Sequence, residues 1–333
     1  MKVCIFGGNG FVGSAVARKA VARGWHVVSV SRSGTPFATP AGHTPSWVNE
    51  VEWRKGSPFD PATYDSVLPS CDALVSTLGT LFETSYKDKG VAKPLSVLKA
   101  LAENLTGSRG NPLAKEARER SYERLNRDSA LALFDAFHSS RTPSSSAALS
   151  PSPFVFISAE DIFRPFVPAR YIETKRQAEA EIWRRAHGVA AERGAAAAAA
   201  VQPSVRPVFV RPSLMYHPHL NPPSTLPATL LEATSHLHAL VPPSLHLLPQ
   251  APPTPPNAPP PPAGAPLPGA LTSLASLVAI PPIHVDAVGE AVCRAIADEG
   301  TRGVVDVAAM RETLGFDALG WGASGRRSKA GAA

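Results

Sequence analysis

The chain has 333 residues and a mass of 35.0 kDa, enough for one large α/β domain or two ordinary ones. Hydrophobic residues make up 44%, which excludes global disorder; of the 35 prolines, 22 fall between Gln202 and Pro282, and that stretch cannot be mostly helix or central strand. The net charge of +6 comes from scattered Lys and Arg, without the basic stripe or reading motif of a nucleic-acid-binding protein.

In chain order, Val3 to Phe6 reads as a short apolar strand. Gly7-Gly8-Asn9-Gly10-Phe11-Val12-Gly13 is a glycine-rich turn, and Ser14 to Arg23 a helix closed by Gly24. Val27 to Ser31 is a second strand, which completes a βαβ unit. Further strands are expected at Val51 to Arg54, Ala73 to Leu78, Phe154 to Ser158, Val205 to Val210 and Val304 to Val307. Between them, Asp60 to Leu68 reads as a short helix or turn, with weak helical character around Val97 to Asn104. Long helices are expected at Glu116 to Phe137 and Tyr171 to Ala191, the second running into an alanine tract at Ala195 to Ala200. Ser139 to Pro153 reads as a loop insertion, Leu226 to Leu240 and Ala287 to Ala297 as helices, and Pro249 to Pro268 as a disordered or polyproline II loop.

This alternation predicts an α/β chain with a Rossmann-like, doubly wound parallel sheet and a small irregular C-terminal substrate lobe. The expected organisation is a dinucleotide-binding domain over 1–212 and a proline-rich, partly disordered lobe over 213–282. A helix and strand over 283–319 complete the domain, and a flexible tail covers 320–333. Cys4, Cys71 and Cys293 are far apart and show no metal-ligand or disulfide spacing, so the chain reads as reduced and intracellular. Neither a signal peptide nor a transmembrane segment is expected.

Two constellations carry chemistry. The first is the glycine turn, between strand and helix. Gly7 permits the turn, Gly10 lets backbone approach phosphate, and Gly13 lets the helix pack closely. At the end of the second strand, Ser31-Arg32-Ser33 replaces the carboxylate that NAD-preferring proteins place there. Arg32 could pair with a 2′-phosphate, so NADP(H) is favoured over NAD(H). The second is Tyr171 and Lys175, one turn apart on one helix face, where an ammonium can stabilise a phenolate. Ser158 ends the strand thirteen residues before Tyr171. His217 and His219 lack a third ligand and read as a loop pair; no metal is expected.

The glycine turn, Ser158 and the Tyr171/Lys175 pair resemble the short-chain dehydrogenase/reductase family in its extended and atypical branches. Val28 to Gly34, Ser76-Thr77-Leu78-Gly79, Phe156-Ile157-Ser158-Ala159 and Tyr171 to Glu179 look like its fungal mitochondrial reductase-like members of coenzyme Q biosynthesis. The 39-kilodalton accessory subunit of respiratory complex I is a more distant likeness. The resemblance implies that Ser158 polarises a carbonyl, Tyr171 passes the proton and Lys175 holds the nicotinamide ribose; Asn126 matches a structural or relay asparagine. It also implies a dinucleotide held by Gly7, Asn9, Gly10, Phe11, Val12 and Gly13, by Arg32 and Ser33, and by Thr77, Leu78 and Gly79. Tyr171 and Lys175 join them, as do Arg211 and Pro212 from the Arg-Pro turn after the sixth strand. Ile283-His284-Val285-Asp286 with Val288 matches a late turn behind the site. Two departures stand out: Ser57 replaces an adenine-recognising Asp, and Pro165 and Pro168 crowd the approach to Tyr171.

Two functions follow. One is an NADPH-dependent reductase acting on a quinone-pathway intermediate. The other is a non-catalytic, nucleotide-bound assembly or stability factor of the coenzyme Q synthesis complex or of complex I. A sugar-nucleotide epimerase or dehydratase shares the motifs, but the proline-rich segment argues against it. The resemblance places the chain in mitochondria, at the matrix side of the inner membrane, although no presequence precedes the first strand.

Overall fold

The computed structural model describes residues 1–79, 122–141, 150–164, 167–188, 204–242, 249, 251–252, 254–255 and 257–315. Seven parallel strands form one sheet: β1 (Lys2–Phe6), β2 (His26–Ser31), β3 (Val51–Lys55), β4 (Ala73–Ser76), β5 (Ser152–Ile157), β6 (Val205–Val210) and β9 (Gly303–Val305). Their spatial order is β3-β2-β1-β4-β5-β6-β9, with every pair parallel. The order reverses between β1 and β4, and a doubly wound sheet opens its ligand crevice at such a switch point.

The central strands are apolar on both faces because helices cover both. On one face Val3, Ile5, Val27, Val75, Val155, Val208 and Val210 pack against α1 (Phe11–Val21) and α6 (Val285–Ala297). On the other, Cys4, Phe6, Val28, Leu74, Phe154, Phe156 and Phe209 meet α2 (Ser129–Ser139) and α3 (Ala169–His187). A π-helical turn, Glu123–Asp128, leads into α2. The α1–α6 crossing is close because Gly289 lies on Ala15: a Cβ there would sit 2.8 Å from the Ala15 carbonyl carbon.

A smaller lobe holds α4 (Thr225–Leu240) and α5 (Ala270–Ala279). It also holds a two-stranded parallel sheet of β7 (Met215–Tyr216) and β8 (Ile283–His284). Helix α5 and this sheet are new relative to the sequence reading, since short apolar runs carry little periodicity. The last strand ends at Val305 rather than at Val307. Asp306 accepts from Ala309 N at 2.9 Å and opens a further helix, α7 (Val307–Thr313). Helix α6 begins two residues before Ala287, because His284 Nδ1 accepts from Asp286 N and caps it.

Part of the proline-rich stretch is anchored to the sheet. Ala258 O accepts from Val304 N at 2.9 Å, and Asn257 Oδ1 accepts from Arg302 N at 3.0 Å. The segment thereby covers the outer edge of β9. The Val97 to Asn104 stretch, the residues before 122 of the Glu116 to Phe137 helix, residues 142–149 of the insertion, Pro165, the alanine tract and the tail lie outside the described residues. Among the described residues, no helix is long and apolar enough to cross a membrane.

Candidate functional site

The crevice is built first from backbone. Gly7 takes φ +87° and donates to Val30 O at 2.9 Å, and Gly10 N donates to Gly7 O at 2.8 Å. A Cβ on Gly7 would lie 2.6 Å from Thr77 Oγ1, one on Gly8 would overlap Ser29 Oγ, and one on Gly13 would overlap the Gly7 carbonyl. These contacts fix a tight glycine cradle that packs on β2, the end of β4 and itself, and α1 begins directly from it. Gly10 occupies the N-cap without a side-chain bond, and the first turn holds no acid, so its N–H groups suit an anion. Phe11 O accepts from Ser14 Oγ at 3.1 Å, and Val12 packs on the core.

Asn9 ties the cradle to the loop after β2. Its Nδ2 donates to Ser33 Oγ at 3.4 Å and to Thr35 O at 3.2 Å. Beside this loop, Arg32, Lys55, Gly56, Ser57, Asp60 and Thr63 line a pocket of about 330 Å³. Two cations thus stand where the sequence reading named Arg32 alone. Lys55 was missed because it ends β3, far from Arg32 in sequence, and the parallel register Ser31↔Lys55 brings it alongside.

At the end of β4, Thr77 N and Oγ1 both donate to Phe6 O. Leu78 and Gly79 follow, and here the second constellation converges. Lys175 is 2% exposed; its Nζ donates to Leu78 O at 3.1 Å and to Ile157 O at 2.8 Å, and lies over the Phe156 ring. Burial pulls this ammonium down to about 7, against the attraction of Glu179. Gly79 leaves the space: a Cβ would come 2.7 Å from Lys175 Nζ and 3.0 Å from Asn126 Oδ1. Asn126, in the π turn, donates to Thr174 Oγ1 at 3.4 Å. Tyr171 lies edge-on to Tyr122, their ring centroids 6.3 Å apart. Burial pushes its phenol up to about 12; the Arg176 charge opposes the shift and Tyr122 adds to it.

Ser158, next to the Ile157 carbonyl that Lys175 meets, turns its hydroxyl to other partners. Its Oγ accepts from Arg176 Nη1 at 3.2 Å, and its hydroxyl bonds the carboxylate of Glu179. Glu179 is fully buried. Although burial opposes ionisation, Arg176 at 2.8 Å and Arg211, whose Nε donates at 3.0 Å, hold its carboxyl below the usual range. The guanidinium of Arg211 is therefore committed to Glu179, while Pro212 O accepts from Glu160 N. Arg176 and Glu179 were missed by sequence reasoning. The available signal was a carboxylate one turn beyond Lys175 on a face otherwise bound for the core. Phe163, in the same loop, takes φ +69°, and its N donates to Ser273 O, which links β5 to the lobe. For a bulky residue that backbone is strained.

His217 gains partners that the sequence did not indicate. With His284 and Asp286 it forms a cluster of donors within 4.8 Å. Hydrogen bonding argues against a resident metal. His217 Nδ1 accepts from His219 N and Leu220 N, and His284 Nδ1 accepts from Asp286 N. Both neutral rings then carry their proton on Nε2, which turns a donor outward rather than a lone pair. Arg18 already pairs with Asp286.

No family model matches the chain. MIOREX complex component 2 of Saccharomyces cerevisiae is 32% identical over 224 residues, which cover 66% of this chain and 74% of that protein. An uncharacterized chloroplastic protein of Arabidopsis thaliana is 45% identical over 78 residues, 23% of this chain and 24% of that one. Among solved structures, a short-chain dehydrogenase/reductase family oxidoreductase from Burkholderia thailandensis is similar with a TM-score of 0.48. It is 15% identical, and the match covers 92% of this chain and 91% of that one.

Proposed function

Because the chain belongs to the family of the yeast MIOREX complex component 2, and its motifs resemble the extended short-chain dehydrogenases/reductases, we propose that it is a nicotinamide-dinucleotide-bound component of a mitochondrial protein complex. The observation that carries the reading is the glycine turn at the start of α1: Gly7, Gly8 and Gly13 pack too closely for a side chain, and Gly10 leads into an uncapped first turn with no acid. The N–H groups of that first turn suit the charge of a pyrophosphate. Arg32 and Lys55 line the adjoining pocket, and their charges favour NADP(H) over NAD(H). The yeast relative named as a complex component supports the complex. The resemblance to coenzyme Q biosynthesis proteins directs the search to the quinone-synthesis machinery at the matrix side of the inner membrane.

One feature weighs toward a role of the bound nucleotide in order and assembly. Ser158 is engaged by Arg176 and Glu179 rather than turned to a substrate carbonyl. A second reading, a reductase on a quinone-pathway carbonyl, is favoured by the pairing of Tyr171 and Lys175 on one turn of α3. Bound NADPH would supply a hydride, and Tyr171 the proton at its phenolic oxygen.

Calorimetric titration of wild type and Arg32→Ala with NADPH and NADH tests the cofactor. Tight NADPH binding that weakens about tenfold or more without Arg32 is expected, since one lost charge-assisted contact costs about 1.5–3 kcal/mol. Absence of binding by either nucleotide would leave the cradle a structural turn. Complementation separates the two roles. Under the assembly reading Tyr171→Phe is silent, whereas Gly13→Leu abolishes function; a null phenotype for Tyr171→Phe with intact nucleotide binding favours the reductase.

A further inference from the structure

Helix α4 has unlike faces. Ala228 and Ser235 are buried in the lobe, and Glu232 pairs with Arg311 at 3.1 Å and with His236 at 3.3 Å. The remaining face carries Leu226, Leu230, Ala233, Leu237 and Leu240, at spacings of four, three, four and three residues. This is the alternation of a coiled-coil seam. The four leucines are 71%, 60%, 65% and 72% exposed, although each is a large aliphatic side chain. No charged residue interrupts the seam, and the positions flanking it are Pro227, Thr229, Thr234, His236 and Val241.

We propose that this face is a self-association surface, in which α4 of two copies pairs antiparallel across a two-fold axis passing beside Ala233. Three observations point to a second copy as the occupant. The seam is symmetric about Ala233: Leu226 and Leu240 stand seven residues to either side, Leu230 three before and Leu237 four after. It therefore complements itself when reversed, as an isologous contact requires, with leucine opposite leucine and the small residue at the crossing. The flanks carry no acid or lysine, so self-pairing sets no like charges against each other; an amphipathic helix that binds an anionic membrane needs Lys or Arg there. The exposed leucines offer on the order of 500 Å² per copy, so the pair buries at most roughly 1,000 Å², which lies at the low end, where weak, reversible interfaces fall. Ala233 also lines a pocket of about 400 Å³ with Tyr216, Thr229, Glu232 and His236, so the second copy would close one side of it.

Sedimentation equilibrium of the full chain tests the surface. A dimer is expected at about 50 µM, with Leu230→Glu/Leu237→Glu weakening it at least ~100-fold. The double variant should keep its circular dichroism, because both positions face solvent in the single chain, while its melting temperature should lose the concentration dependence that dimerisation gives the wild type. Mild oxidation of Ala233→Cys should link two chains through that residue, because Cys4, Cys71 and Cys293 are buried and contribute little background. A wild-type monomer at this concentration overturns the proposal, whether or not it binds vesicles of anionic phospholipid. So does a dimer indifferent to the glutamates, or a dimer whose Ala233→Cys form does not cross-link.

Discussion

Lys175 is the residue at which burial, charge and position are most tightly joined. Its ammonium meets the carbonyl oxygens of Leu78 and Ile157 at the strand ends beside the crevice, and burial lowers its pKa to about 7. An unfolded chain keeps a lysine protonated to about pH 10.4, so between 7 and 10 the unfolded state binds more protons than the folded one. Stability from this group therefore rises with pH across that window and is constant below it. In urea denaturation, wild type should gain on Lys175→Met as pH is raised from 7 to 10, and the difference should be level from 5 to 7. A difference that stays level throughout would mean that Nζ is solvated. The pairing of Tyr171 with Lys175 was legible because four residues make one helical turn. The engagement of Ser158 was not, since it depends on Arg176 and Glu179 meeting Arg211, which arrives from β6. No local spacing encodes that meeting, and a serine at a strand end reads the same whether it faces a substrate or an ion pair.

Among the elements, the segment least readable from sequence is the one that guards the sheet. Proline has no N–H to give, but every residue of a proline-rich stretch keeps a carbonyl. The edge strand β9 has an N–H to place at Val304, and Ala258 O takes it. Composition alone indicates irregularity, which is correct about secondary structure but silent about anchoring. Asn257 makes the anchor possible in two ways: its side chain accepts from Arg302 N, and it tolerates φ +59°. Asn257→Ala should remove both and cost about 1 kcal/mol. Amide exchange at Arg302 and Val304 should quicken while that in β1 and β5 stays unchanged. Equal protection in the variant would show that the prolines hold the edge without Asn257. The strands themselves were easily read, because apolar runs alternating with helices leave few topologies for a parallel sheet.

At the scale of the whole molecule, the chain closes on itself where α6 returns to α1. Four residues of α6, Val285, Val288, Val292 and Ile296, enter the core from the far end of the sequence. Charge joins the same helices outside the core. Glu290 accepts from Arg23 at 2.5 Å and from Arg294 at 3.0 Å, with Lys19 at 3.7 Å, while Arg18 pairs with Asp286. The hydrogen bond from Arg23 is the chief reason that the Glu290 carboxyl is held down to about 2, and burial opposes it. A carboxyl lowered in the folded state contributes stability above its unfolded value, near pH 4.3, and loses it as pH falls toward 2. The melting temperature of wild type should therefore fall more steeply than that of Glu290→Gln between about pH 4.5 and 2 in scanning calorimetry, with wild type the more stable at pH 7. Because Glu290 is only partly buried, salt should shrink the gap at pH 7. Parallel acid limbs would place the closure in the apolar contact alone. The α1–α6 seam would then rest on Gly289 against Ala15, with the ion pairs as solvated neighbours.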